Sequence, residues 1–341
     1  MTNHVTPEHI MQIGMGFMAS KTLLSAVELE LFTTLASGPA TAAQLGDRFA
    51  LHPRGTLDFL DALVALHLIE RDGSGPSARY RNNEAGAMFL DKNSRAYVGG
   101  LLEMANARLY PFWGQLTEAL RTGSPQNEVK NGGGNLFEAL YADEQRLEQF
   151  LRAMQGGQMG SFMTLCEKLD VAKYKTFCDV GGANGTLAAL MASRHPHLAC
   201  KTFDLPPVEK IAKRHIEAMG AQGRVTVQTG SFFTDPLPEA DVITMGNILH
   251  DWDEKEKRML IEKAYKAIPA GGMFVAVEMV IDDERRSYGM GFMMSLNMLI
   301  ETPGGFDYTP SQFDGWCKDA GFKRTEVVHL VGPTSAAIAY K

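Results

Sequence analysis

The 341-residue chain has only four cysteines, Cys166, Cys178, Cys200 and Cys317. Their spacing matches neither a zinc-ligand set nor a Cys-x-x-Cys redox pair, so no metal site is expected. Two of them fall in expected strands, and buried free thiols in a reducing, cytoplasmic setting account for them most simply. Positive charge is also short. The chain has 33 Lys and Arg against 40 Asp and Glu, a net charge of −7. That balance speaks against nucleic acid or an anionic membrane as the main partner. The opening residues Met1–Glu8 have no basic start and no apolar core, so no secretory signal is expected. No uninterrupted apolar run is long enough to cross a bilayer. What remains is ordinary globular composition, 45% hydrophobic and 21% charged, with length for two domains. Methionine is abundant at 19 residues; it fills irregular cores and lines pockets for apolar ligands.

The most informative stretch is Phe177-Cys178-Asp179-Val180-Gly181-Gly182-Ala183-Asn184-Gly185. An apolar run ending in Asp179 reads as a buried strand, the glycines as a turn, and Thr186–Ala192 as a helix. Strand, glycine turn and helix form the cradle in which an α/β sheet holds a nucleotide, although such turns also merely connect elements. A second expected strand, Cys200–Phe203, ends in Asp204, at the distance suited to an acid for ribose hydroxyls. A dinucleotide fold wants Gly-x-Gly-x-x-Gly, which this loop does not supply; a nicotinamide-dependent oxidoreductase is the rival.

Along the chain, residues 8–36 read as helices with an apolar face of Met11, Met15, Met18, Leu23, Val27 and Leu31. Residues 41–72 read as helix-turn-helix, Thr41 capping one helix and Pro53 opening the next. Ile69–Arg81, broken by Gly73-Ser74-Gly75-Pro76, reads as a β-wing. A winged helix suggests DNA, but residues 41–72 carry three basic side chains against five acids, the wrong balance for phosphates. A structural or dimerisation module is expected instead. Residues 95–121 read as helical and aromatic-rich, and Gly132-Gly133-Gly134 as a loop, with helices from about 136. Strands are expected near 177–180, 200–203, 224–228, 241–245, 273–280, 325–329 and 336–340, with helices around 186–195, 207–219, 255–268 and 310–320. This alternation means a doubly wound, mostly parallel α/β sheet.

Met245-Gly246-Asn247-Ile248-Leu249-His250-Asp251-Trp252-Asp253 follows the strand at 241–245. His250 therefore falls past the C-terminal edge of the sheet, where α/β folds bind ligands. A lone histidine is more often a packed residue; this location favours a proton acceptor. Taken alone, Glu278 reads equally well as a salt-bridged strand end and Asp307 as a turn acid.

The Asp179 loop resembles that of the class I S-adenosylmethionine-dependent methyltransferases, with Ala183 where glycine is commonest. Taken with Phe203-Asp204-Leu205-Pro206, Leu249-His250-Asp251-Trp252 and Pro303-Gly304-Gly305 in that order, the chain resembles, over nearly its whole length, the plant-type small-molecule O-methyltransferases and their bacterial relatives. The resemblance implies a Rossmann-like catalytic domain, 106–341, behind a winged-helix dimerisation domain, 1–105, and hence a homodimer. It implies S-adenosylmethionine as cofactor, leaving as S-adenosylhomocysteine, and a small-molecule acceptor. His250 maps to the general base, flanked by Glu278 and Asp307. Asp179, Gly181, Gly182, Gly185 and Asp204 map to the cofactor loop and ribose acid. Ser231 and Phe232 stand where the family has an acid and an apolar residue at the adenine, and Gly246 where it has a lysine. Met294, Asn297, Met298 and Thr302 map to acceptor contacts; Phe150, Met154 and Met290 are further pocket candidates, with Arg108 or Arg152 as a cation for an acidic substrate. The pocket does not match the plant aromatic-alcohol pattern. Hydroxyl methylation is expected first. The alternatives are S-methylation of a small thioether acid such as methylthio-hydroxybutyrate, C-methylation, and a winged-helix regulator that only senses ligand.

Overall fold

The computed structural model describes residues 6–94, 96–128, 130, 141, 143–287 and 289–341. The Gly132-Gly133-Gly134 loop and the helical start near residue 136 lie outside them. The chain divides into two compact units, Met1–Pro111 with Arg152–Gly157, and Phe112–Leu151 with Gln158–Lys341.

The first unit opens with helices Glu8–Gly14, Gly16–Glu28 and Leu31–Ala36. Strand β1 (Ala40–Thr41) leads into helix Ala42–Arg48, whose N-terminus is closed by reciprocal bonds between Thr41 and Gln44. Helix Pro53–Ala65 starts on proline, which has no amide hydrogen to leave unpaired there. Strands β2 (Ile69–Asp72) and β3 (Arg79–Asn82) form the wing, in the antiparallel order β1-β3-β2. Leu31, Phe32, Leu45, Leu60, Leu63 and Tyr80 make its core. The Tyr80 hydroxyl is satisfied by Asp61 at 2.7 Å. The stretch Glu8–Glu28 is long and apolar enough to cross a membrane by length and composition, and of its residues only Leu24, Ala26 and Val27 are buried. His9, Gln12, Ser20 and Lys21 interrupt the run without cancelling its apolar average.

The second unit is built on a seven-stranded sheet: β4 (Thr176–Val180), β5 (Ala199–Asp204), β6 (Val225–Thr229), β7 (Val242–Gly246), β8 (Met273–Glu278), β9 (Arg324–His329) and β10 (Ser335–Tyr340). The order is β6-β5-β4-β7-β8-β10-β9. The pairs from β6 to β8 are parallel, and β10 runs antiparallel to both its neighbours. Strand β8 explains the pattern. Met273, Val275 and Val277 pack one face with Phe177, Leu187 and Met191, while Phe274 and Ala276 pack the other with Ile243, Leu260 and Phe313. Both faces are covered, so the strand reads as a continuous apolar run.

This order sets the site. From β4 the chain crosses to β5 on one side, then returns to β7 on the other. The loops after β4 and β7 diverge, opening a crevice at the topological switch point. Asp179 and Thr244 are paired in register across it.

Candidate active site

The loop after β4 is tightly determined. The Gly181 and Gly185 backbones are left-handed, at φ 68° and 78°. A Cβ on Gly181 would collide with Ile248, one on Gly182 with Thr202, and one on Gly185 would lie 2.8 Å from Ile216. Only glycine meets both demands, conformation and space. Ala183 is also left-handed, at φ 51°; its methyl is accommodated, but the backbone pays the strain glycine avoids. The Ala183 amide donates to Asp204 Oδ2 at 2.8 Å, and the Leu205 amide to Oδ1 at 2.7 Å. The Tyr141 hydroxyl bonds to the same carboxylate. Burial pushes Asp204 up to about 6 against these donors. Burial likewise pushes Asp179 up to about 7, against the Thr244 hydroxyl at 2.6 Å.

Beyond β7 the chain makes a short turn, Leu249–Asp251, and then the helix Glu254–Ala267, capped reciprocally by Asp253 and Glu256. The turn is fixed from beneath. Glu278, fully buried at the end of β8, accepts the amides of Ile248 and His250 on Oε1, at 3.0 and 3.1 Å. His250 is buried, with Nδ1 3.4 Å from Asp307 Oδ1 and Nε2 3.5 Å from Asp251 Oδ1. Glu278 Oε2 and both Asp307 oxygens have no hydrogen-bond partner among the described residues. Burial by itself would keep the imidazole uncharged, but the charges of Asp251, Asp307 and Glu278 outweigh it and hold the ring well above its ordinary range. Pro303-Gly304-Gly305 brings Asp307 in: a Cβ on Gly305 would lie 2.6 Å from the His250 carbonyl and one on Gly304 2.8 Å from Asp253 Cβ. Ile248, against Gly181, joins this turn to the glycine loop.

A buried nucleotide-type cradle beside a carboxylate-flanked histidine agrees with the comparisons. The O-methyltransferase domain matches residues 113–323, and the O-methyltransferase dimerisation domain residues 11–92. The chain belongs to the O-methyltransferase family. It is 42% identical to the tetracenomycin polyketide synthesis 8-O-methyl transferase TcmO of Streptomyces glaucescens, over 98% of this chain and 97% of that protein. It is 37% identical to the N,N-dimethyltransferase OxyT of Streptomyces rimosus, over 80% and 78%. Its fold superposes on human N-acetylserotonin methyltransferase in complex with S-adenosylmethionine with a TM-score of 0.92 at 30% identity, covering 100% and 99% of the two chains. The chain is thus an S-adenosylmethionine-dependent methyltransferase.

As an O-methyltransferase it has residues that fit the cofactor. The Gly181–Gly185 turn packs so closely on Ile248, Thr202 and Ile216 that its backbone stands bare of side chains, and two carboxylates, buried Asp179 and part-buried Asp204, stand at the ends of adjacent strands. Ser231 is engaged in its own turn: its amide donates to Asp235 at 2.8 Å and its hydroxyl accepts the Phe233 amide at 3.2 Å. Phe232 lies edge-on to Trp252, with centroids 5.9 Å apart. The absent lysine at Gly246 has a steric reason, since a Cβ there would meet Gln158 and Phe162 at 3.3 Å.

The acceptor candidates scatter. Met298 is buried, Met294 partly buried, and Met290 is 51% exposed at the start of helix Gly289–Glu301. Asn297 Oδ1 accepts the Trp113 indole N–H at 2.9 Å. The Thr302 hydroxyl donates to the Met298 carbonyl at 3.0 Å and accepts the Gly305 amide at 2.8 Å, so it holds the glycine turn. Phe150 packs with Leu147, Leu151, Val208 and Ala183 near the cofactor loop. Met154, Arg108 and Arg152 belong to the first unit. The sequence reading did not single out Asp251 as a partner of the imidazole. The only available signal was its adjacency to His250.

Proposed function

We propose that this chain transfers a methyl group to a hydroxyl of a small polyketide-type aromatic molecule, with His250 as general base. The observation that carries the reading is the buried imidazole between Asp251 and Asp307, on a turn packed against the glycine loop. A hydroxyl is a poor nucleophile until its proton leaves, and a positioned imidazole accepts that proton during attack. Asp307, with Oδ1 3.4 Å from Nδ1, and the other carboxylates stabilise the imidazolium that forms. The cofactor, held by Asp179, Gly181, Gly182, Gly185 and Asp204, supplies a methyl already activated on a sulfonium. The chain's remaining task is to position the acceptor and exclude water. Glu278 holds the turn through two amides. The acceptor class follows from the likeness to the polyketide enzyme over nearly the full length of both chains.

A nitrogen acceptor is the second reading, favoured by the likeness to the N,N-dimethyltransferase. A thioether acceptor needs no proton acceptor and leaves the buried histidine without a task. We also read the chain as a cytoplasmic homodimer, with the dimerisation module before a boundary near residue 105 and the catalytic domain from 106.

The test pairs a labelled-cofactor assay on phenolic polyketides, amines and thioether acids with the His250→Ala variant. The phenol is expected to accept the label, and the variant to lose roughly 10²–10⁴ in single-turnover rate with little change in S-adenosylhomocysteine affinity. Labelling of the amine or thioether alone, or near-normal chemistry in the variant, would overturn the reading.

A further inference from the structure

Lys257 lies in the first turn of helix Glu254–Ala267, yet its side chain is fully buried. A buried ammonium is costly unless its charge and its hydrogens are used. Nζ donates to the Trp252 carbonyl, two residues past His250, and stands 3.6 Å from the centroid of the Phe306 ring, next to Asp307. One side chain therefore touches both segments that bring the imidazole and its carboxylate partner together.

The charges around it are one-sided. Asp251 and Asp253 come from the turn and the helix cap, Glu278 from the end of β8, and Asp307 from the segment after the glycines. Tyr308, whose phenol is held protonated by burial beside Glu278, adds no charge. His250 completes the set, facing Asp251 and Asp307. Burial draws Lys257 down to about 8 against the pull of the four carboxylates, so it is still mainly charged at neutral pH. Those carboxylates already hold the His250 proton above its ordinary range, and without the ammonium beside them they would hold it more tightly still.

We propose that Lys257 is a positioning residue of the methyl-transfer site: its buried ammonium ties the Trp252 and Phe306 segments together and offsets part of the surrounding negative charge, so that the His250 imidazole gives up its proton more readily than the carboxylates alone would allow. The inference rests on the general-base reading of His250, but its effect on the ring can be measured without turnover.

The experiment compares wild type, Lys257→Gln and Lys257→Arg in the full-length protein. Glutamine keeps a donor for the Trp252 carbonyl and drops the charge; arginine keeps the charge. The His250 ring is titrated by NMR with labelled histidine, assigned through His250→Ala, alongside the pH profile of the single-turnover rate. The His250 titration is expected to move up by about one unit in Lys257→Gln, with the acid limb of the rate following, a roughly tenfold loss below that limb. In Lys257→Arg both are expected to stay near wild type. An unmoved or lowered titration in Lys257→Gln overturns the inference, as does an equal shift in both variants. Should Lys257→Gln fail to accumulate, Lys257→Met carries the same comparison. A ring that moves while the rate keeps its limb, or a limb that survives in His250→Ala, counts against the general-base reading and not against the charge offset.

Discussion

At His250 two opposing effects meet: burial disfavours a charged ring, and three carboxylates favour it. The carboxylates win, so the imidazole holds its proton above the usual value of about 6.5. On the proposed general-base role the neutral ring is the active form, and its share rises as pH rises through the shifted value. The rate at saturating substrate is therefore expected to climb still between pH 7 and 8.5, and to fall tenfold per unit on the acid side. A plateau already reached at pH 6.5 would contradict the electrostatics described. Much of this constellation was legible in the chain. His250 follows a strand, Glu278 ends one and Asp307 follows the glycine pair, and the structure gathers all three. Lys257 was not read, because Glu-Lys-Glu-Lys-Arg at the start of a helix looks solvated. Its signal was spacing: Lys257, Leu260, Ile261 and Ala264 share the buried face at i, i+3, i+4 and i+7. Ser231 and Thr302 illustrate the converse. Their hydroxyls are taken up by local turns that no residue count reveals.

The elements were more legible than the site because their periods are local. All seven strands of the large sheet fall near the segments expected from the alternation of strands with helices, and Thr41 and Pro53 open the helices they were expected to open. Helix Gly289–Glu301 lay in a stretch read only for its acceptor candidates, and the second unit's share of the helix Glu144–Lys168 could not be told from the period. The junction between β4 and its helix carries the sharpest element-level expectation. Gly181→Ala adds a Cβ that meets Ile248 on a backbone at φ 68°, a combination costing roughly 1–3 kcal/mol where the structure cannot relax. Ile248 would push the His250 turn outward. The variant is expected to bind S-adenosylhomocysteine at least tenfold more weakly by calorimetry and to lower Tm. Unchanged affinity would mean that the cradle is looser than its packing indicates. A milder expectation concerns the helix beginning at Glu254: Asp253→Ala removes the cap and should cost about 1 kcal/mol in urea unfolding.

On the scale of the whole molecule, one surface of the described residues is apolar and without a partner in the fold. Ile10 is 72% exposed, Ile13 69%, Met11 55% and Phe17 51%, all on the first two helices. A water-exposed patch of this kind marks an interface. A second copy of the chain is the occupant favoured here, because the O-methyltransferase dimerisation domain matches residues 11–92 and so includes most of these side chains. The same stretch, Glu8–Glu28, satisfies the length and apolarity of a membrane span, which makes the expectation worth separating from lipid binding. Light scattering of the full-length protein is expected to give twice the 37.4 kDa of one chain. Ile10→Glu with Ile13→Glu places two charges on the patch without touching a buried residue. That pair is expected to shift the protein to monomer while the wing core of Leu31, Phe32 and Leu60 keeps its fold by circular dichroism. Vesicle co-sedimentation of the wild type should be weak if the helices are covered by a partner copy. A wild type that runs as a monomer and pellets with vesicles would assign the patch to lipid instead. A double variant that remains a dimer would place the interface elsewhere in residues 11–92.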